Sequence, residues 1–398
     1  MIKRVKVAKL RFKADDGSEF PEWEEKKIGD FLNESRIPGH TGKQAKKLTV
    51  KLWAKGIVPK ESYLQGSEGT QYYVRHAGQL MYGKLDFLNC AFGIVPEELD
   101  GYESTIDSPA FDIHGILSDY LLAYITRKEF YKRNGDLANG TRKAKRIQPD
   151  VFFDMDINVP SLPEQKKIAD FLSTIDEIIT TTEAELTAWQ ERKKGVMQKI
   201  FNREVRFKAD DGSEFPEWEE KKFGDIWKRI VVKNDGSFGG DKIISVANMK
   251  WAPKDDVRDD YLKTYNLLPS SAIAFEGNRN NSYSYGRFVL NDIGDGIVSH
   301  VFVCFEPIAD IIPAFWKEYI HAECVMGKIL RKCTKSSTMM HDLVVPDFLK
   351  QIIFVPSLPE QKKIADCLSS LDDVINQIKA ELSAWKEFKK GLLQQMFV

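Results

Sequence analysis

Two stretches of this chain place apolar residues at alternating steps of four and three. The first runs Ile168, Leu172, Ile175, Ile179, Thr182, Leu186, Trp189, Lys193, Val196, Ile200. The second runs Ile364, Leu368, Leu371, Ile375, Ile378, Leu382, Trp385, Lys389, Leu392, Met396. That spacing is a heptad seam, the mark of a helix that buries one stripe against another helix. Each stretch opens with Ser-Leu-Pro-Glu, at Ser161 to Glu164 and Ser357 to Glu360. The motif predicts a capping box: serine at the N-cap, proline in the first turn, where its missing N–H costs nothing, and glutamate reaching back to the serine N–H. A helix of roughly 38 residues extends about 57 Å. It cannot cover its own seam, and the chain supplies two such helices, so the expectation is an antiparallel coiled coil that relates the halves by a pseudo-twofold axis. The matching breaks at Lys193 and Lys389 read as lysines snorkelling past the seam, with a register or partner device as the alternative. Gly195 and Gly391 cost the helices about 1 kcal/mol each and would admit a close crossing.

The rest of the pattern repeats in frame only. Arg11 to Lys27 (RFKADDGSEFPEWEEKK) returns unchanged at Arg206 to Lys222, and Val159 to Asp170 (VPSLPEQKKIAD) returns at Val355 to Asp366, displaced by 195 and 196 residues. Between these frames, Asn33 to Asn158 and Lys228 to Phe354 share little. A duplicated enzyme should repeat its catalytic residues, whereas a duplicated reader can keep its mounting and vary what it reads. In the inserts, Gln79–Tyr82, Ala272–Phe275, Gly296–Val298, Val301–Phe305 and Ile352–Val355 have the apolar, β-rich character of strands, and Ile116–Lys132 and Ala314–Arg331 look helical. The predicted fold is mixed α/β: a first variable domain over 1–158, a first repeated helix over 159–203, a second variable domain over 204–354 and a second repeated helix over 355–398.

Composition narrows the class. At 398 residues, with 42% apolar and 29% charged residues, the chain suits a soluble protein of two to four domains. No apolar run approaches a membrane span, and the basic start is followed by no hydrophobic stretch, so a cytoplasmic location is expected. Five cysteines, odd in number and unevenly spaced, suit a reducing compartment. The net charge of −1 hides a local excess: eight basic residues face three acids between Leu121 and Asp150. A basic stretch is usually a solvated face, and this one gains weight from lying inside a variable insert.

Recognition chemistry is expected in polar loops between elements. In the first insert the candidates are Lys43, Lys46 and Lys47, on a stretch running through Trp53 and Lys55, with Tyr72, Tyr73, Arg75 and Lys84, and then Arg142, Lys143, Lys145 and Arg146. In the second they are Arg279, Asn280, Asn281, Tyr283, Tyr285 and Arg287, and then Lys335, Ser336, Ser337, Thr338 and His341, which hold the place of the first insert's basic loop before a Pro-Asp pair. Arginine can bond guanine edges bidentately, asparagine can do so with adenine, and tyrosine stacks or meets a phosphate; the bland reading of such a loop is an ordinary turn. No phosphate-binding or dinucleotide glycine loop, nucleophile elbow or methyltransferase tetrad is present. The six histidines do not repeat between halves and no metal site is expected.

Two variable domains, each followed by a P-x-L-P-E-Q-x-x-I-A helix ending in Trp-x-x-x-Lys-Lys-Gly (Trp189 to Gly195, Trp385 to Gly391), resemble the DNA specificity subunit of type I restriction-modification systems. The resemblance covers the whole chain. It implies that each domain is a target recognition domain reading one half of an asymmetric bipartite double-stranded DNA sequence. It also implies that the helices space the halves and dock two methyltransferase subunits, with restriction and translocase subunits joining through those. No cofactor is then expected in this chain; S-adenosylmethionine, Mg and ATP would belong to the partners. The helix length caps the separation of half-sites at about 17 base pairs. The rival readings are a stand-alone nuclease or methyltransferase, and a coiled-coil scaffold that binds only proteins.

Overall fold

A computed structural model of the chain describes residues 8–42, 44–60, 69–135, 146–278, 283–336 and 340–397. The chain forms two compact units, Met1–Thr182 with Glu381–Val398, and Glu183–Ala380. Both divisions fall inside long helices, so each unit holds one end of each helix.

In chain order the first copy contributes β1 (Glu24–Lys27), β2 (Leu32–Ser35), β3 (Leu80–Tyr82), β4 (Phe92–Ile94), β5 (Ala110–Ile113), α1 (Ser118–Ile125), α2 (Lys128–Gly135), β6 (Asp156–Val159) and the long helix α3 (Leu162–Phe201). The second contributes β7 (Glu219–Lys222), β8 (Trp227–Arg229), β9 (Ile273–Glu276), β10 (Arg287–Leu290), β11 (Val303–Pro307), α4 (Pro313–Tyr319), α5 (Glu323–Cys333), β12 (Thr334–Ser336), β13 (His341–Leu343), β14 (Ile352–Val355) and the long helix α6 (Leu358–Met396). The predicted mixed α/β architecture is therefore present. The two inserts, so different in sequence, build four-stranded antiparallel sheets of the same order, β2-β5-β3-β4 and β8-β11-β9-β10. Each sheet lies on an aromatic core, Tyr82, Phe87, Phe92, Phe111 and Phe152 in one unit and Phe275, Phe288, Phe305 and Phe348 in the other. The two helices expected over Ile116–Lys132 and Ala314–Arg331 are each broken in two. In the first, Thr126 turns its hydroxyl back to the Leu122 carbonyl at 2.7 Å, and the buried Arg127 guanidinium stacks 4.1 Å from Tyr124.

The repeated frame is a clasp. Its Glu-Glu-Lys-Lys strand pairs antiparallel with the strand that enters the long helix, β1 with β6 and β7 with β14. Arg11 grips Glu164 with Nε at 3.0 Å and Nη2 at 2.8 Å, and the Trp23 indole N–H donates to the same carboxylate at 3.1 Å. Arg206 holds Glu360 in the same two-pronged way, at 3.2 and 2.9 Å. Both glutamates are wholly buried. This replaces the predicted capping box: Glu164 and Glu360 turn away from the helix start to meet an arginine some 150 residues distant, and Ser161 Oγ and Ser357 Oγ are buried without a hydrogen-bond partner. A charge-assisted bidentate pair outweighs a cap of about 1 kcal/mol. The next residue of the motif completes the joint. Gln165 accepts from the Leu117 N–H and donates to the Pro160 carbonyl, and Gln361 does the same with Ile312 and Pro356.

The long helices pair in opposite directions inside both units. In the first, Ile168, Leu172 and Ile175 share a core with Leu392, Met396 and Phe397, and Ile179 and Trp385 are half-buried against it. In the second, Ile200 and Phe201 share one with Ile364, Ala365 and Leu368, with Leu371 half-buried. Ile375 and Leu382 are buried, and Leu186 and Trp189 half-buried. The breaks in the seam are ion pairs and not snorkelling side chains: Lys193 bonds Asp372 at 2.8 Å, and Lys389 bonds Asp176. Nor do the glycines serve a close crossing. A Cβ at Gly195 or Gly391 would meet nothing within 4 Å.

Candidate nucleic-acid interface

In both sheets the third strand in order, β3 or β9, ends where the chain returns from the predicted reading loop. The Ile147 N–H donates to the Lys84 carbonyl at 3.2 Å, and the His341 N–H to the Gly277 carbonyl at 2.8 Å. Ile147 and His341, at the close of the two predicted reading loops, thus rejoin their sheets at equivalent places. Gly277 fits this crossing because a Cβ there would lie 2.1 Å from the His341 carbonyl oxygen.

In the second unit this crossing gathers the candidates. Arg287, at the start of β10, donates from Nε to Glu276 Oε2 and from Nη2 to the Ala247 carbonyl, both at 2.7 Å, while its guanidinium lies 5.2 Å over the Tyr283 ring. Tyr285 packs 5.6 Å from His341, and Tyr283 packs 5.4 Å from His321. Lys335 and Ser336 stand exposed on the β12–β13 hairpin. Burial raises the Tyr283 pKa against the pull of Arg287. Arg279, Asn280, Asn281, Ser337 and Thr338 lie outside the described residues, as do Lys43, Arg142, Lys143 and Lys145.

In the first unit the candidates divide by burial. Lys46 is exposed, Lys47 lies 5.4 Å over the Tyr72 ring, and Arg146 reaches Asp107 at 3.3 Å. Arg75 lies inside the fold: only 2% exposed, it bonds Ser104 Oγ at 2.7 Å and the Ser35 carbonyl at 2.8 Å, and its guanidinium stacks 5.6 Å over Tyr73. Burial pushes its pKa down to about 10, with Glu34 and Tyr73 opposing. Its bonds run to residues of separate segments, so it ties strands together inside the fold. Lys84, Tyr72 and, in the second unit, His341 are also buried. Residues that the sequence reading passed over include Glu276 and Asp107, the acids that hold Arg287 and Arg146. It also missed Trp251, partly exposed with Lys242 stacked 4.9 Å from its ring. Trp53 is 55% exposed on a turn with φ of 60°. An acid ending an apolar strand, as in Ile-Ala-Phe-Glu276, was the available signal.

Among the described residues no group of three or more His, Cys, Asp or Glu could hold a metal ion, and no helix is long and apolar enough to cross a membrane. A family model described as the type I restriction modification DNA specificity domain matches residues 111–188 and 216–384. The type I restriction enzyme MjaVIII specificity subunit of Methanocaldococcus jannaschii is 25% identical over 306 residues, spanning 70% of this chain and 69% of the relative. The putative MjaX specificity subunit of the same organism is 32% identical over 110 residues, 26% of this chain and 25% of its own length. Among solved structures, a type I restriction-modification S subunit from M. genitalium aligns over 99% of both chains with a TM-score of 0.55 at 13% identity. A chain solved in a study of the assembly and conformational transition of a type I system aligns over 95% of this chain and 98% of its own, with a TM-score of 0.58 at 14% identity. At such identities the structural likeness speaks for the fold alone.

Proposed function

The chain belongs to the type I restriction-modification DNA specificity family, and from that premise we propose that its two variable domains each read one half of an asymmetric, bipartite double-stranded DNA target. The observation that carries this reading is the pairing of like with unlike. Two sheets of one strand order are clasped by identical frames to repeated helices, while the loops returning across β3 and β9 carry different side chains. Mountings that are equal and surfaces that are not suit two readers of different half-sites. Exposed cations such as Lys46 and Lys335 would meet phosphates, and the Tyr283–Arg287 cluster would approach base edges. The paired helices would set the spacing and dock two methyltransferase subunits, with restriction and translocase subunits joining through them. S-adenosylmethionine, Mg and ATP would be used by those partners in the cytoplasm, leaving this subunit to supply the address.

The test is to express the chain with its methyltransferase subunit and sequence the methylated adenines. A bipartite motif with two different halves is expected. Replacing 28–155 by an unrelated insert should change one half and leave the other. If an assembled, active complex methylates no bipartite motif, or if both halves change together, the reading is wrong.

A further inference from the structure

Besides the Gln361–Ile312 bond, the second variable domain meets its helix ends through α4 at two places. At the first, Phe201 and Ile364 pack in one apolar cluster with Phe315 and Tyr319 of α4, Phe201 and Tyr319 meeting edge to face at 5.3 Å. The second lies eight residues back along α3, about 12 Å from Phe201. It borders a cleft of about 980 Å³ whose lining includes Gln190, Lys194, Tyr283, His321 and Asn376. Here the contact is ionic. The Lys193 ammonium lies 2.9 Å from Glu318 Oε2 on α4 and 2.8 Å from each carboxylate oxygen of Asp372 on α6. The Lys193 and Glu318 side chains are only 15% and 13% exposed, so salt screens their attraction less than it would a surface pair. Burial pushes the Lys193 pKa down, but the bonds to Asp372 and Glu318 outweigh it and hold the ammonium above its ordinary range.

The first variable domain has a similar aromatic footing, with Arg127 also stacked on Phe397, and among the described residues it lacks this tie. Phe397 packs 5.6 Å from both Tyr120 and Tyr124 of α1, and Lys389, again eight residues earlier, pairs with Asp176 on α3. The motif glutamines align the two domains: Gln165 receives the Leu117 N–H and Gln361 the Ile312 N–H. Counting six residues on from each gives Ala123 where the second domain has Glu318. Alanine offers a lysine no partner.

We infer that Lys193 is a positioning residue that locks the second recognition domain to its helix mounting through Glu318, so that this domain presents its reading loops at one fixed setting. Among the described residues, no ion pair joins the first domain to its helix at the corresponding place. Without the Lys193 tie, α4 would be held to the α3 end by the Phe201 cluster and to the α6 start by the Gln361–Ile312 bond, leaving its tilt less constrained. With it, the angle is set, and the separation at which its half-site is read is set with it.

The inference rests on the bipartite reading, and the experiment keeps the two separable. The full chain, assembled with its methyltransferase subunits, is titrated with duplexes carrying the methylated motif at its native spacing and at spacings one base pair longer and shorter. The wild-type complex should bind altered spacings at least about tenfold more weakly. Glu318→Gln, which keeps the shape and removes the charge, and Lys193→Met should each narrow that preference to within about threefold, while native-spacing affinity stays within about threefold of wild type. Lys193→Arg should retain the preference. If Glu318→Gln discriminates spacings as wild type does, the inference is overturned and the bipartite reading stands. A wild-type complex indifferent to spacing overturns that reading and the inference with it.

Discussion

His321 sits between the Tyr283 ring, 5.4 Å away, and the Lys193 cleft. Burial, with the nearby charges of Arg287, Lys193 and Lys317, pushes its pKa down to about 4 from an ordinary 6.5, Glu276 opposing. Above pH 6.5 neither the folded nor the unfolded imidazole binds a proton, and the group contributes nothing to pH dependence. As the pH falls from 6.5 to about 4, the unfolded chain gains a proton that the folded site refuses, and stability drops by on the order of 3 kcal/mol before levelling. His321→Gln should flatten that part of the profile, read as the second unit's urea midpoint at pH 7 and pH 4.5; an unchanged slope would remove His321 as its source. At the clasp, Arg11→Ala strands the buried Glu164 carboxylate and should cost about 3 kcal/mol in thermal unfolding, whereas Lys13→Ala, which removes an exposed pair with Glu19, should leave the melting point where it is. These residues also mark how far a sequence can be read at this scale. Arg75, Lys84, Lys46 and Lys335 are alike as letters in polar neighbourhoods, and only the strands that close over the first two separate interior from surface. Residue type tells what a side chain can bond, and tertiary burial decides whether anything outside can reach it.

The long helices were the most legible elements, because a seam is a local pattern and two copies of it imply a partner. Their ends were not. Glu164 and Glu360 follow a serine at capping distance, and nothing nearby in sequence signals that Arg11 and Arg206 will claim them. The lysine breaks were legible as breaks and not as ion pairs, since Asp372 and Asp176 sit off the seam on the opposing helix. Short helices fared worse: the pattern over Ile116–Lys132 is continuous, but the buried stack of Arg127 on Tyr124 and Phe397 bends the chain between α1 and α2. The glycines make the sharpest element-scale prediction. Gly195 and Gly391 lie inside helices, with open space where a Cβ would go. Gly195→Ala and Gly391→Ala should therefore each stabilise the free chain by about 0.5–1 kcal/mol. If the glycines are retained because a methyltransferase helix approaches there, the same substitutions should weaken assembly, measured by native mass spectrometry. Stabilisation with intact assembly would assign them no docking role.

At the scale of the whole molecule, the two frames are identical in sequence and grip their own helices through the same arginine–glutamate pair and strand pairing, differing in that Trp23 bonds its glutamate and Trp218 does not, so neither mounting is specialised for the insert it holds. Each insert leaves its mounting through matched backbone bonds, Ile28 N to the Met155 carbonyl and Phe223 N to the Gln351 carbonyl, both at 3.0 Å. It touches the helix motif through a backbone N–H, Leu117 or Ile312, that any residue but proline supplies. A chain in which 223–351 replaces 28–155 should therefore fold, with both sheets built from one insert. The transplanted Glu318 would then face Lys389, giving the first position an ionic tie like that of Lys193. Under the bipartite reading, that chain should direct methylation to a target whose two halves are the same sequence. The residues that could defeat the exchange include the aromatic contacts where insert and helix meet by side chain, Tyr120, Tyr124 and Arg127 against Phe397 in one unit and Phe315 and Tyr319 against Phe201 in the other. Both footings are aromatic against phenylalanine, which favours the exchange. An exchanged chain that aggregates would show that the footing is specific to its insert, and one that folds but still methylates two different halves would show that sequence is read outside the inserts.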